Sequence, residues 1–78
     1  MFLDKDSFIK RVGFAIRDLR NKRGLTIEQL AIDSNMEYAQ LCKIELGKVN
    51  TSIFQIYKIA NAFGISVSEL LIGSPETI

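Results

Sequence analysis

The sequence predicts an all-α protein of five short helices. Apolar residues recur at three- and four-residue spacing through most of the 78-residue chain, the period of a helix with one buried face. Five glycines and a single proline, Pro75, are too few for a turn-rich β fold. Two Ser/Thr-x-x-Glu/Gln signatures, at Thr26–Gln29 and Ser66–Glu69, are of the kind that open helices. Hydrophobic residues make up 47% of the chain, enough for a packed core rather than a disordered tail. A chain this short nevertheless buries only roughly 60% of its unfolded surface.

The first helix is expected from about Asp6 or Ser7 to Lys22, with Ile9, Val12, Ile16 and Leu19 at helical spacing. Gly24 follows a basic last turn and acts as its stop. Thr26 caps the second helix, pairing reciprocally with Gln29, and Leu30 and Ala31 turn inward. Asn35 supplies a tight turn, since asparagine is the best non-glycine residue for a left-handed backbone. The third helix spans about Glu37 to Leu46, with Leu41 and Ile44 inward and Gly47 as its stop. Ser52 caps a fourth helix whose Ile53, Ile56, Ile59, Ala60 and Phe63 share one face, ended by Gly64. The second capping box opens a short fifth helix through Leu70 and Leu71. Phe14 and Phe54 fall off the main apolar faces of their helices; each is either exposed or covered by the Phe2–Leu3 segment. One domain over residues 1–78 is expected, with its core at 8–72 and a flexible tail at 73–78.

Several function classes are poorly served by this composition. One cysteine, Cys42, and no histidine leave no internal disulfide, no zinc set and no ordinary neutral-pH general base. With no phosphate-cradling glycine loop either, neither an enzyme nor a cofactor or metal is expected. No apolar run approaches the length that spans a bilayer, and the first residues carry acids where a signal peptide carries bases. A soluble, cytoplasmic protein without membrane partners is expected. Net charge is only +1, but six basic residues and one acid between Lys10 and Arg23 give a local excess of +5. That run is either a solvated helix face or a field that attracts phosphate.

The second and third helices carry the functional signal. Two short helices joined by a tight turn match the helix-turn-helix motif, whose second helix enters the DNA major groove. Such helix pairs also occur in proteins that never touch DNA. The residues themselves narrow the choice. Leu25-Thr26-Ile27-Glu28-Gln29-Leu30-Ala31, Ser34-Asn35-Met36, Leu41, Ile44-Glu45, Gly47-Lys48 and Asn50 resemble the Cro/CI-type (xenobiotic-response-element) helix-turn-helix family. Ser52-Ile53, Lys58-Ile59-Ala60, Ala62 to Val67 and Glu69-Leu70-Leu71 continue the match. The resemblance covers roughly residues 8 to 72, and small restriction–modification controller proteins and stand-alone repressors are of similar length.

The resemblance implies a five-helix, repressor-type DNA-binding fold with the third helix as the recognition helix, and double-stranded DNA as the partner. Glu37, Tyr38, Ala39, Cys42 and Lys43 would lie on its groove-facing side. Lys43 would donate to guanine O6/N7 or to phosphate, Ala39 would pack on a thymine methyl, and Tyr38 would touch bases or backbone. Glu37 would accept from cytosine N4 or cap the helix, and Gln40 would reach phosphate or base from the helix edge. Cys42 faces the groove or sits half-buried as a small apolar filler. Lys48, Asn50 and the backbone N–H groups near Ser52 would hold phosphate. Arg20 and Glu45 match the family's internal ion pair. Ile27 stands where the family often has a phosphate-contacting glutamine, and the recognition helix is poor in residues that read bases bidentately.

The C-terminal apolar set Ile65, Val67, Leu70, Leu71 and Ile72 is assigned to a homodimer interface, with closure of the monomer core as the alternative. A two-fold dimer would place two recognition helices about one DNA turn, roughly 34 Å, apart. The expected function is a sequence-specific DNA-binding transcription regulator, acting as a homodimer on an inverted-repeat operator. The alternative is a protein-interaction module on the same fold, such as an antitoxin-like partner-binding protein, favoured by the weak basic character and by apolar Tyr38 and Phe54. No ligand domain is expected after the motif, so direct small-molecule induction is not.

Overall fold

Among the described residues five helices pack around one apolar cluster in the order α1 (Lys5–Lys22), α2 (Ile27–Asp33), α3 (Tyr38–Glu45), α4 (Ile53–Phe63) and α5 (Val67–Ile72). The computed structural model describes residues 4–72, without the Ile72 side chain, and no strand occurs among them. The Phe2–Leu3 cover, the tail at 73–78 and the Ile72 side chain of the C-terminal apolar set therefore lie outside the described residues.

Local chemistry sets each helix boundary. α1 begins at Lys5, slightly earlier than its periodicity suggests, because the Asp4 carboxylate accepts the Ser7 N–H at 2.8 Å. In α2 the Thr26 hydroxyl accepts from Gln29 N at 3.0 Å while Gln29 Oε1 accepts from Thr26 N at 2.9 Å. The capping box implied by the sequence is thus complete. Asn35 adopts a left-handed conformation with φ of 55°, which lets α2 and α3 meet at an angle without a glycine. Lys58 on α4 braces that turn, its Nζ donating to the Asn35 carbonyl at 2.9 Å. At α5, Ser66 Oγ accepts from Glu69 N at 3.1 Å and Glu69 Oε1 accepts from Ser66 N at 2.9 Å.

All five helices contribute to the core. Val12 and Ile16, Leu30 and Ala31, Leu41 and Ile44, Ile56, Ile59, Ala60 and Phe63, and Leu70 form one buried cluster. Arg23, just past α1, donates to the Phe63 carbonyl at 2.6 Å and stacks over the Phe63 ring, closing the C-terminal end of α4.

Two expectations require correction. Ile53, the first residue of α4, does not share the buried face of that helix; it is 68% exposed. Leu70 is only 2% exposed and sits in the chain's own core, so it has no surface to offer a partner. Ile65, Val67 and Leu71 pack half-buried against the same cluster. Leu70 thus belongs to the monomer core. Phe14 and Phe54 are both exposed.

α1 and the end of α3 approach closely at Gly13. Gly13 is buried, and a Cβ there would collide with the Ile44 carbonyl and come within 2.8 Å of the Glu45 carbonyl. A mid-helix glycine costs α1 roughly 1 kcal/mol relative to alanine, and contact between the two backbones is what it permits. Gly13→Ala is expected to destabilise the protein by about 1–3 kcal/mol despite the better helix former. A lower urea midpoint at unchanged slope is the expected readout.

A second expectation concerns acid. The Glu69 carboxyl is held below its ordinary value of 4.5, first by the Ser66 backbone N–H and then by the Ser66 hydroxyl. A carboxyl lowered in the folded state stabilises it above the unfolded pKa, and that contribution is lost as pH falls through the folded pKa. Glu69→Gln keeps a capping side chain that does not titrate. The stability of the wild type relative to this variant is therefore expected to be constant near neutrality and to decline below pH 4.5, as thermal melts at a series of pH values will show.

Candidate nucleic-acid interface

Leu41, Ile44 and Glu45 turn inward and fix α3 against the rest of the fold. The opposite side is open. Ala39, Lys43 and Leu46, spaced at i, i+4 and i+7, form its outermost line, and all three are exposed. Tyr38 (exposed) and Cys42 (half-buried) flank that line on one side, and half-buried Gln40 on the other. The Tyr38 phenol pKa is raised above its ordinary 10.0, first by its interaction with Cys42 one turn along. Glu37 is exposed at the N-cap position and makes no side-chain cap bond. Of the two roles expected for it, capping is not the one seen.

Leu46 was not among the residues picked from the sequence. Its place on the Ala39–Lys43 line was readable from helical spacing, but the expected end of α3 at Leu46 hid its exposure.

The loop after α3 continues the same edge. Lys48, Asn50 and Ser52 are all exposed. The Lys48 N–H donates to the Lys43 carbonyl at 3.0 Å, which ties the loop back to the helix. Ser52 Oγ accepts from Gln55 N at 3.1 Å, while the Thr51 hydroxyl bonds the Gln55 side chain. This caps α4 and directs its N-terminus, the positive end of its dipole, toward the loop. Gln29 has its side-chain oxygen engaged in the α2 cap.

Arg20 and Glu45 are 25 residues apart and meet in a two-pronged pair. Arg20 Nε donates to Glu45 Oε2 at 2.8 Å and Nη2 to Oε1 at 3.0 Å. The third arm, Nη1, donates to the Leu25 carbonyl at 2.8 Å. Side-chain exposure is 11% for Arg20 and 3% for Glu45, so water screens the pair weakly. Hydrogen bonding to Glu45 raises the guanidinium above its already high pKa. Arg20 thus connects α1, the loop before α2 and the end of α3.

The basic run on α1 is smaller as a surface feature than as a sequence feature. Arg20 is engaged inside the fold, exposed Arg23 spends one arm on the Phe63 carbonyl, and Lys22 pairs with Asp18 at 3.1 Å. Lys10, Arg11 and Arg17 are exposed. Among the described residues no group of His, Cys, Asp and Glu is arranged to hold a metal, and no helix is long and apolar enough to cross a membrane.

Two short helices joined at Asn35, the second held by its inner face and open on its outer one, define a helix-turn-helix DNA-binding domain. The chain belongs to the helix-turn-helix family HTH_3, whose pattern matches residues 16–70, from the middle of α1 into α5. An uncharacterized HTH-type transcriptional regulator of Sinorhizobium fredii is 34% identical over 68 residues, covering 87% of this chain and 88% of that protein. The restriction-modification controller protein C.AhdI of Aeromonas hydrophila superposes with a TM-score of 0.79 at 33% identity, over 82% of this chain and 97% of that one. The immunity repressor protein of Bacillus phage phi105 is 37% identical over 60 residues, which are 77% of this chain and 42% of the repressor. The family is one of DNA-binding transcriptional regulators rather than of enzymes.

Removing one partner of a buried, hydrogen-bonded ion pair leaves the other charge uncompensated and costs about 3–5 kcal/mol. Glu45→Ala is expected to lose stability on that scale in denaturant titrations. A variant that melts like the wild type would show that the pair contributes nothing.

Proposed function

We propose that this regulator binds an inverted-repeat operator as a homodimer, reading sequence with α3 and anchoring on phosphate with the α3–α4 loop. The observation that carries this reading is the two-sidedness of α3: Leu41, Ile44 and Glu45 are buried while Ala39 and Lys43 are exposed, uncovered by any of the described residues.

Lys43 is the one cation on the open face of α3 and the strongest candidate for a guanine O6/N7 or phosphate contact. Ala39 and Leu46 offer apolar contact to thymine methyl groups, and Tyr38, Glu37, Gln40 and Cys42 complete the reading edge. Lys48, Asn50 and the N-terminus of α4 at Ser52 supply phosphate contacts that position the helix without carrying sequence information. Exposed Lys10, Arg11 and Arg17 add charge of the sign that phosphate attracts. Like the HTH-type transcriptional regulator it resembles, the chain acts on transcription.

Selection of bound sites from a random duplex pool tests this directly. The wild type is expected to enrich a palindrome. Lys43→Ala is expected to relax one position and weaken binding by about 1–3 kcal/mol if Lys43 reads a base. A uniform loss across sequences would assign Lys43 to phosphate, and failure of the wild type to enrich any sequence would remove operator recognition.

A further inference from the structure

We infer that the outer face of α4, around Ile53, Phe54 and Tyr57, is the surface on which a second copy of this chain docks; the inference rests on the homodimer reading and locates its interface. α4 has two unlike sides. Ile56, Ile59, Ala60 and Phe63 are buried. On the other side Ile53, Phe54 and Tyr57 are 68%, 63% and 53% exposed, and the Phe54 and Tyr57 rings stack with centroids 6.2 Å apart.

Charge and area both favour a second copy as the occupant. A two-fold axis sets a surface against itself, so any charge on the face meets its own like. α4 carries one charge in eleven residues, Lys58. Its ammonium is already committed, bonded to the Asn35 carbonyl and lying 5.5 Å over the Phe54 ring. Ile53, Phe54 and Tyr57 leave on the order of 350 Å² of side-chain surface in water, taking full burial of an aromatic side chain as roughly 150–250 Å². That falls within the range of functional apolar patches on small proteins. It is the size of the water-excluded centre of an interface burying roughly 800 Å² per partner, the rest being polar rim.

The patch also has relief. Ile53 forms one wall of an open groove of about 180 Å³ whose other sides include Phe8, Val49 and Leu71. A ridge of two aromatic rings beside a groove is a shape that can complement itself across a two-fold. α5, by contrast, has its central Leu70 buried in its own monomer.

Sedimentation of the full chain at a series of concentrations tests the assignment, with Phe54→Glu, Tyr57→Lys and, as a control, Phe14→Glu. Phe14 is as exposed as Phe54 but lies on α1. The wild type is expected to dimerise at micromolar concentration. Each α4 variant should weaken the dimer by about 30-fold or more, the loss typical of an interface anchor, while Phe14→Glu leaves it unchanged. Three outcomes would overturn the inference: a monomeric wild type, which would leave the α4 face to a different protein; a Phe54→Glu and Tyr57→Lys pair that both stay dimeric; or dissociation by Phe14→Glu alone. Circular dichroism checks that the variants are folded, and either α4 variant suffices if the other is not. Binding of single half-site duplexes separates this inference from operator reading. A monomeric α4 variant that still binds the half-site leaves DNA reading intact, and a wild-type dimer that selects no sequence fails on DNA reading alone.

Discussion

The attachment of α3 to α1 is the constraint on which the open face depends. Two contacts make it, and they are different in kind. At Gly13 the backbones of the two segments approach so closely that no side chain fits between them. Farther along, the Arg20 guanidinium grips Glu45 with two bonds and the Leu25 carbonyl with a third. The first sets a distance and the second sets a rotation. A helix of eight residues is too short to be stable by itself, so its orientation comes from these neighbours. With Glu45 turned to Arg20 and Leu41 and Ile44 in the core, Ala39 and Lys43 have no direction left but outward.

Electrostatics is arranged economically around this frame. The sequence concentrates positive charge between Lys10 and Arg23, and the fold divides it. Arg20 ties internally to Glu45 and exposed Arg23 ties to the Phe63 carbonyl, while Lys10, Arg11 and Arg17 also remain at the surface. Guanidinium suits the internal role because its planar fork satisfies several acceptors at once. A nearly neutral chain can still be a DNA-binding protein, because the charges that matter are few and placed.

Local chemistry was legible in the sequence and tertiary placement was much less so. The capping boxes at Thr26 and Ser66 and the left-handed turn at Asn35 depend on residues within a few positions of one another, and each is present in the structure. The inward positions of α2 and α3 followed from periodicity. Periodicity names a face, however, and not how far along the helix a neighbour covers it. That is why Ile53, on the apolar side of α4 by spacing, stands in water. It is also silent on whether an apolar cluster meets its own core or a partner, and Leu70 turned out to meet its own. The Arg20–Glu45 contact spans 25 residues, and only the family resemblance pointed to it. Gly13 looked like an unremarked mid-helix glycine, since the carbonyls it meets belong to another helix.

Lys58 joins two regions that the sequence keeps apart. One ammonium holds the carbonyl of the turn between α2 and α3 and covers the ring of Phe54. If a second copy seats on α4, that ring and its cation are at the boundary, and the turn that sets the angle of α3 is one hydrogen bond away. Coupling free energy is reciprocal. Whatever factor assembly contributes to the grip on an operator, the operator must return to assembly, so each protomer already on DNA would recruit the next more tightly than the same two chains find each other in free solution.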